Sequence, residues 1–333
     1  CGGPAKRETN TMPQWAGSSW YYLRYCDPHN DRELASKDRT DYWLGEDGVD
    51  IYVGGTEHAT RHLIYARFWH KFLYDIGVVH TEEPFICLKN QGLILGEDGR
   101  KMSKRYGNVV NPDDVVEKFG ADTLRVYEMF MGPFEESQAW STNNMIGSRR
   151  FLEKVWRIAE RVKEVEEKEV RLPSGSRTSG AETLRILHQT IKKVTDDISL
   201  FKFNTAISQM MIAASAFELG GISHADFKLF LVILSPFAPH ITQELWERLG
   251  ETGFIYEVAW PEYDESLLHN ATIRIAIQIN GNVRDEMDVP AGILEEEVIP
   301  LALEREKVKL WISGKTTQKI LYVNGALVSI VVT

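Results

Sequence analysis

The sequence predicts a multidomain protein that joins an α/β part, an all-α part and a small α+β part. Residues 1–100 alternate short apolar segments with helical patterns, which is typical of a parallel α/β sheet. From Ile146 the apolar residues recur only at helical spacing, and after about Leu268 they alternate with a period of two. A chain of 333 residues is long enough for several such domains.

These changes of pattern divide the chain into four predicted parts. The α/β part covers residues 1–100, and a region of loops and short helices covers residues 101–145. A helical bundle covers residues 146–267, and a small α+β domain covers residues 268–333. The last part has about 65 residues, which is near the lower size for independent folding.

Within the α/β part, the segment 50–53 is predicted to be a buried strand that runs into Gly54 and Gly55. Apolar residues at helical spacing predict a helix after Glu57. Further short strands are expected at 85–88 and 92–95. Ligands of parallel sheets bind beyond the carboxyl ends of the strands, so the glycine pair lies where a ligand is expected.

The remaining parts carry helix caps, apolar stripes and turn signals. Asn111 is expected to cap a helix that begins at Pro112. In the terminal domain, Asn280 and Gly281 predict a tight turn between two strands, and a helical stretch at 294–306 precedes the last strands. Two apolar stripes of the bundle consist of Phe151, Leu152, Val155, Trp156, Ala159 and Val162, and of Leu184, Leu187, Ile191, Val194 and Ile198.

The composition is that of a globular protein without membrane spans. Apolar residues make up 43% of the chain and charged residues 26%, and the longest apolar runs are too short to cross a bilayer. Three cysteines form no pairing framework, so we expect a cytoplasmic protein. The net charge of −10 argues against indiscriminate nucleic-acid binding, which needs a local surplus of lysine and arginine.

A lysine-rich loop is the most informative motif in the chain. Lys101 and Lys104 flank Met102 and Ser103, and Arg105 follows. Two lysines three residues apart can bring two ammonium groups and a hydroxyl onto one polyphosphate, where they disperse the charge of a departing pyrophosphate. The alternative interpretation is a solvated basic turn, because isolated lysine pairs are common.

A second motif, residues 54–58 (G-G-T-E-H), stands where a strand is expected to turn into a helix. Paired glycines let the backbone approach a ligand closely, and Glu57 can accept hydrogen bonds from both hydroxyls of a ribose. His58 and His62 are four residues apart and therefore share a helical face. That spacing also suits zinc, but no third ligand at metal-site spacing is nearby.

The lysine loop resembles the K-M-S-K-S signature of class I aminoacyl-tRNA synthetases, with Arg105 where the family usually has serine. Together with the second motif it is similar to leucyl-tRNA synthetases of the bacterial type. The Ser-Ser-Trp-Tyr segment and the terminal domain favour leucine over isoleucine, valine or methionine. The resemblance covers nearly the whole chain, with matching segments at 7–12, 15–25, 52–58, 101–104, 120–123, 234–240, 278–284 and 322–325.

The resemblance implies a role for each predicted part. Residues 1–100 would form the second half of a Rossmann-like catalytic domain, and residues 101–145 its signature-loop region. Residues 146–267 would be a helical anticodon-binding bundle, and residues 268–333 a tRNA-binding domain. The implied reaction has two steps: leucine and ATP, with Mg²⁺, give leucyl-adenylate and pyrophosphate, and the leucyl group then moves to tRNA(Leu).

The resemblance also implies roles for single residues. The catalytic residues would be Lys101, Ser103 and Lys104. ATP would be bound by Gly54, Gly55, Glu57, His58, Lys101, Met102 and Lys104. Leucine would be bound by Ser19, Tyr22, Tyr52, His58 and His62, with Ser18 and Tyr21 as alternatives to Ser19 and Tyr22. The tRNA would be contacted by Arg149, Arg150 and Arg284.

The chain departs from the family in lacking an H-x-G-H signature, the first half of the nucleotide-binding fold and the editing domain. We therefore expect half an active site, which a missing N-terminal part would complete within a longer polypeptide or as a separate subunit. Cys1 resembles the remnant of a zinc knuckle. One cysteine cannot hold zinc, so no protein-bound metal is expected.

Three other interpretations remain open from the sequence. A non-catalytic tRNA-binding fragment or paralogue would use the bundle and terminal domain alone, but it would have no use for Lys101, Ser103, Lys104 and Glu57. An unrelated nucleotidyltransferase would explain the lysine loop but not the C-terminal half. A synthetase for another branched amino acid is the third alternative.

Overall fold

The computed structural model describes residues 2–10, 14–168, 180–268, 272–290, 293–323 and 325–333. The chain forms two compact units. The first contains the described parts of Cys1–Arg150 together with Asp197–Ile207, and the second those of Phe151–Asp196 and Ser208–Thr333. Proline, serine and glycine at 172–176 predict a loop, and Asn324 with Gly325 predicts a turn between the last two strands. The loop and Asn324 lie outside the described residues.

Within the described ranges, helices and strands alternate at first, then give way to helices and finally to a sheet. The α-helices are α1 (Gln14–Ser18), α2 (Tyr21–Cys26), α3 (Lys37–Leu44), α4 (His62–Asp75), α5 (Pro112–Phe119), α6 (Ala121–Phe130), α7 (Thr142–Lys168), α8 (Ala181–Ser199), α9 (Phe203–Gly220), α10 (His224–Leu234), α11 (Pro239–Arg248), α12 (Glu295–Glu304) and α13 (Glu306–Ile312). The strands are β1 (Val49–Val53), β2 (Phe85–Lys89), β3 (Ile94–Leu95), β4 (Gln138–Ala139), β5 (Thr272–Ile279), β6 (Asn282–Pro290), β7 (Thr317–Val323) and β8 (Leu327–Val332).

The first unit contains a parallel pair of strands, β1 and β2, in which Ile51 is opposite Cys87. A strand at 50–53 is therefore confirmed, but its predicted burial is wrong. Tyr52 is buried, whereas Ile51 and Val53 are 51% and 50% exposed. Side chains alternate across a strand, so the apolar run places two residues on a face that the described elements leave open.

The helix expected after Glu57 does not begin directly after that residue, but five residues later. A 3-10 turn occupies Thr56–Thr60, and α4 starts at His62. Leu23, Leu44 and Leu73, from α2, α3 and α4, form a core next to the parallel strands. The site candidates on α2 and α4 are therefore held by a shared apolar core.

A second core lies under the lysine loop, where α5 and α6 pack against each other. Its buried residues are Val115, Leu124, Tyr127, Trp140 and Met145. Strand β3 pairs in parallel with β4. The predicted start of α5 is confirmed, because Asn111 Oδ1 accepts a hydrogen bond from the Asp113 N–H at 3.2 Å and Pro112 is the first helical residue.

The second unit begins with helices and ends with a mixed sheet. Both predicted apolar stripes are buried at their centres, at Val155 on α7 and Ile191 on α8. The sheet has the strand order β6-β5-β8-β7, in which β5 and β8 are parallel and the two outer pairings are antiparallel. The predicted turn is confirmed, with positive φ angles of 48° at Asn280 and 81° at Gly281.

The predicted fold class, α/β followed by all-α and α+β parts, is confirmed. The four-part division at residues 100, 145 and 267 stays a prediction. Among the helices in the described ranges, none is both long and apolar enough to cross a membrane.

Candidate functional site

The lysine loop, residues 96–108, is folded back on itself at its entry. The Gly96 N–H donates to the Arg100 carbonyl oxygen at 2.8 Å, which closes a tight turn. Lys101 then bridges antiparallel to Leu95. The backbone of the first signature lysine is therefore fixed against β3.

The second half of the loop is a 3-10 turn at Lys104–Tyr106. Ser103 caps it, because its Oγ accepts a hydrogen bond from the Arg105 N–H at 3.2 Å. Gly107 ends the turn with a φ of 63°, a conformation that favours glycine. The Ser103 hydroxyl keeps its own proton for another acceptor, since its contact with Arg105 uses only a lone pair.

Lys101 and Lys104 are both exposed, and neither has an ion-pair partner among the described residues. Met102, between them, packs against the core formed by α5 and α6. The loop is thus anchored by an apolar side chain while its two ammonium groups stay available to a ligand.

The two acids of the lysine loop are engaged by their own partners. Asp98 pairs with Arg100, with 2.7 Å between Oδ2 and Nη2. Hydrogen bonds from Asn108 and from Arg100 lower the pKa of Asp98 to about 2. The Glu97 carboxylate accepts from the backbone and hydroxyl of Thr142. Neither acid therefore competes with a phosphate for the lysines.

The second motif follows β1 directly and is tied to the end of β2. The Gly54 N–H donates to the Lys89 carbonyl oxygen at 3.1 Å, and Asn90 Nδ2 donates to the Gly54 carbonyl oxygen at 2.7 Å. A Cβ at Gly55 would overlap the Glu57 carboxylate, so this glycine leaves room for the flexible Glu57 side chain to fold back over the backbone. Glu57 itself is exposed.

Four side chains form what we call the Tyr21–His62 network: Tyr21, Tyr52, His62 and Ser18. The Tyr21 hydroxyl donates to the Tyr52 oxygen at 2.6 Å, and the Tyr52 oxygen lies 2.6 Å from His62 Nε2. His62 Nδ1 lies 3.5 Å from Ser18 Oγ. Burial, and then His58, lower the pKa of His62, so the neutral imidazole accepts the Tyr52 proton at Nε2.

Three other side chains form the Tyr22–His70 network: Tyr22, His70 and Thr81. The Tyr22 oxygen lies 2.7 Å from His70 Nδ1, and His70 Nε2 lies 2.9 Å from the Thr81 carbonyl oxygen. A carbonyl can only accept, so Nε2 carries the proton and Nδ1 accepts from Tyr22. Burial lowers the pKa of the fully buried His70 and raises that of Tyr22.

The alternative residue pairs expected at leucine, Ser18 with Tyr21 and Ser19 with Tyr22, differ in their contacts with His62. Ser18 and Tyr21 contact His62, by a polar contact and a ring contact with 5.9 Å between centroids. Ser19 instead donates to a backbone carbonyl oxygen three residues earlier at 2.6 Å, and Tyr22 belongs to the other network. The structure therefore brings the first pair, and not the second, into contact with His62.

Trp15, which begins the matching segment 15–25 but received no role from the sequence, joins this cluster. Its ring meets His58 edge-on with 5.5 Å between centroids, and the His58 and His62 rings are 6.1 Å apart. His58 Nδ1 is buried without a hydrogen-bond partner within the described part of the chain. The available sequence signal was spacing, since Trp15 stands three residues before Ser18 and six before Tyr21.

The three arginines expected at tRNA belong to different units. In the first unit, Arg149 donates to the Phe119 carbonyl oxygen at 3.2 Å, and Arg150 is exposed. In the second unit, the Arg284 guanidinium lies 3.8 Å from the ring centre of Trp311. Each unit is therefore a separate candidate for contact with tRNA.

No group of three or more histidine, cysteine or acidic residues stands close enough to hold a metal ion in the ranges that the structure describes. Cys1 lies outside those ranges, and Cys26 and Cys87 are free thiols. His58 and His62 thus offer a metal ion two imidazoles without a third ligand.

Two family models match the chain. Residues 63–141 match the tRNA synthetases class I (I, L, M and V). Residues 181–299 match the anticodon-binding domain of tRNA ligase. The first match contains the whole lysine loop, and the second begins where α8 begins.

Solved structures show the same likeness. A LeuRS of Agrobacterium radiobacter K84, crystallised as a ternary complex with tRNA and LeuAMS, aligns with 100% of this chain at 32% identity and a TM-score of 0.76. Two structures of Mycobacterium tuberculosis methionyl-tRNA synthetase with methionyl-adenylate align with 72% of this chain at 19% and 18% identity, each with a TM-score of 0.54. Each alignment includes 50% of the methionyl-tRNA synthetase chain and shows that the two proteins share a fold.

The fold and these matches define the class of protein: the chain contains class I tRNA synthetase domains, one that matches the synthetase family at 63–141 and one that matches its anticodon-binding domain at 181–299. Within that class it is similar along its whole length to a LeuRS. It spans 43% of the length of that LeuRS chain.

Proposed function

We propose that this chain is the C-terminal part of a leucine–tRNA ligase, which activates leucine with ATP and Mg²⁺ and transfers it to tRNA(Leu). The observation that carries the proposal is the similarity of this whole chain to part of a LeuRS, combined with two signature lysines whose ammonium groups have no partner among the described residues. Aminoacylation of tRNA serves translation, so the cytoplasm is the proposed compartment.

In this proposal Lys101, Ser103 and Lys104 act on the polyphosphate of ATP. Two exposed ammonium groups and one hydroxyl proton are the donors that a pyrophosphate needs as its negative charge grows. A Mg²⁺ ion would be carried by the phosphates themselves, because such ions keep most of their waters and few protein ligands.

The adenosine of ATP is assigned to Gly54, Gly55, Glu57 and His58. The small residue at 55 keeps the backbone accessible, and the exposed Glu57 carboxylate can accept from a ribose. Met102 is retained as a candidate ATP contact, although its packing against the α5–α6 core also explains its presence in the loop.

The leucine side chain is assigned to the Tyr21–His62 network, so we propose Ser18 and Tyr21 in place of Ser19 and Tyr22. The aromatic rings of Tyr52, His58 and His62 supply apolar walls, and a neutral His62 avoids placing a charge against a hydrocarbon chain. Shape alone separates neighbouring branched amino acids by about 10–200-fold.

A missing N-terminal part would complete the active site. The open face of β1 supports this part of the proposal, since it presents Ile51 and Val53, two half-exposed apolar side chains on a paired strand. In a larger nucleotide-binding sheet, helices that connect further parallel strands would cover this face, and the partner we propose carries the H-x-G-H signature.

Contact with tRNA is assigned to Arg149, Arg150 and Arg284. The stack of Arg284 on Trp311 offers one cation and one ring, a combination that suits an unpaired base or a phosphate. Acidic residues nearly balance the lysines of this terminal domain, so we expect shape-dependent docking with a shallow salt dependence.

The test is leucine-dependent ATP–pyrophosphate exchange, measured with this chain alone and after addition of the N-terminal part. We expect no exchange from the chain alone and exchange from the combination. In the combination, Lys104→Ala should lower the exchange rate by about two to four powers of ten while leucine binding changes little. Robust exchange by the chain alone would refute the half-site proposal.

The same assay separates the alternative, a non-catalytic tRNA-binding fragment or paralogue. Such a protein would bind tRNA(Leu) but would remain inactive with any N-terminal part, and Lys104→Ala would then have no exchange rate to lower. The two unpaired lysines favour the ligase.

A further inference from the structure

Asn108 joins three separate parts of the lysine loop through one side-chain amide. Its Oδ1 accepts a hydrogen bond from the Ser103 N–H at 2.9 Å. Its Nδ2 donates to Asp98 Oδ1 at 3.1 Å and, more weakly, to the Lys101 carbonyl oxygen at 3.4 Å. The start, the middle and the end of the loop therefore meet at this residue.

The orientation of the Asn108 amide is fixed by its neighbours. Asp98 and the Lys101 carbonyl can only accept, and the Ser103 N–H can only donate, so a flipped amide would lose all three contacts. The site requires one acceptor and one donor on the same short side chain. Neither alanine nor aspartate supplies both.

The lack of a side chain at Gly96 leaves room for this amide. A Cβ at Gly96 would lie 2.7 Å from Asn108 Nδ2 and 2.9 Å from Asp98 Oδ1. Asp98 is itself held by the Arg100 N–H at 3.0 Å and by the Arg100 guanidinium. The acceptor that Asn108 contacts is thus fixed before any ligand arrives.

We infer that Asn108 is a positioning residue for the phosphate-binding step. It acts through the Ser103 amide, and so sets where Lys101, Ser103 and Lys104 stand relative to one another. Asn108 needs no contact with ATP in this role. The inference rests on the proposed function for its consequence in catalysis, but its structural half can be measured in this chain alone.

The first experiment measures hydrogen–deuterium exchange of the Ser103 amide in the isolated chain. Asn108→Ala removes the acceptor, so this amide should exchange about tenfold faster. The matched control is Asn111→Ala, which removes the cap of α5 only three residues away and should leave the Ser103 amide unchanged. Equal exchange in Asn108→Ala and the unaltered chain would overturn the bracing role.

The second experiment uses the enzyme completed with its N-terminal part. Asn108→Ala should lower kcat for pyrophosphate exchange by about 10-fold to 100-fold, with little change in KM for leucine. A rise in KM for leucine at constant kcat would overturn the positioning role. Exchange of the Ser103 amide is measured separately from activity. If the unaltered completed enzyme were inactive while Asn108→Ala still made the Ser103 amide exchange faster, the proposed function would be refuted and the structural role of Asn108 would remain.

A reciprocal pair of substitutions at Asn108 and Asp98 distinguishes loss of their hydrogen bond from a general effect on folding. Asn108→Asp alone sets two carboxylates side by side and should be at least as slow as Asn108→Ala. Adding Asp98→Asn restores one donor opposite one carboxylate, with the hydrogen bond reversed, and should recover part of the kcat lost in Asn108→Asp. Recovery is incomplete because the Arg100 N–H and the Lys101 carbonyl lose their matching partners in the swapped pair. A double variant no faster than Asn108→Asp would contradict the inference.

Discussion

Two adjacent tyrosines on α2 enter networks of the same chemistry with different surroundings. Tyr21 reaches His62 through Tyr52, next to His58, whose Nδ1 is buried and has no partner within the described residues. Tyr22 reaches His70, whose two ring nitrogens both have partners. The unused hydrogen-bonding capacity of His58, beside the first network, fits the binding site that we propose, and the complete pairing of the second network fits a scaffold.

The largest expected effect that tests this comparison is the loss of stability when either histidine of α4 is replaced. His70→Ala should lower the free energy of unfolding of the first unit by about 3 kcal/mol, because it opens a cavity and strands the Tyr22 hydroxyl. Hydrogen exchange of the α4 amides measures this loss without assuming that both units unfold together.

His62→Ala is the matched control for His70→Ala. It should cost less than half as much stability, because its partners lie in a less completely paired network. In the completed enzyme it should instead weaken leucine-dependent exchange by about tenfold or more. Equal losses of stability in the two variants would remove the distinction between site and scaffold.

An intermediate effect is expected when single hydroxyls are removed. Tyr22→Phe leaves His70 Nδ1 without its donor and should cost about 1–2 kcal/mol of stability, with little change in leucine binding. Tyr21→Phe should change stability by less than about 0.5 kcal/mol and raise KM for leucine severalfold. Urea unfolding and exchange kinetics on both variants check the pair. The opposite pattern would return Tyr22 to the leucine site.

The smallest effect is a dependence of stability on pH. Burial lowers the pKa of His70 in the folded chain, so the unfolded chain binds the proton more readily. Stability therefore falls as pH drops through the unfolded value of about 6.5, by at most about 0.7 kcal/mol for this histidine between pH 7 and pH 6. His70→Gln should reduce the slope, and His62, whose pKa is also lowered by burial, should account for part of what remains.

The sequence predicts the fold class well because the apolar period changes abruptly between its parts. The cap at Asn111 and the turn at Asn280 and Gly281 follow from local backbone chemistry, which one sequence displays directly. The prediction that β1 is buried was wrong, because an apolar run in a sequence does not show whether other elements cover one or both faces of the strand. Its exposure depends on which other elements are present.

The site is harder to predict, since its details depend on directions that a sequence does not state. Ser18 and Ser19, like Tyr21 and Tyr22, differ by about 100° around a helix, and only the packed structure shows which one meets His62. The bracing role of Asn108 was missed for a related reason. Its partners are ten, seven and five residues away, and no helical or strand period links them.

The open face of β1 also has a consequence for how this chain behaves in solution. Ile51 and Val53, half exposed on this face, form an apolar surface on which other copies can stack or to which they can add a strand. We expect the isolated chain to self-associate as its concentration rises, and expression together with the N-terminal part to suppress that association. Light scattering against concentration would register the difference, and Val53→Lys, on the same face, should reduce it in the isolated chain.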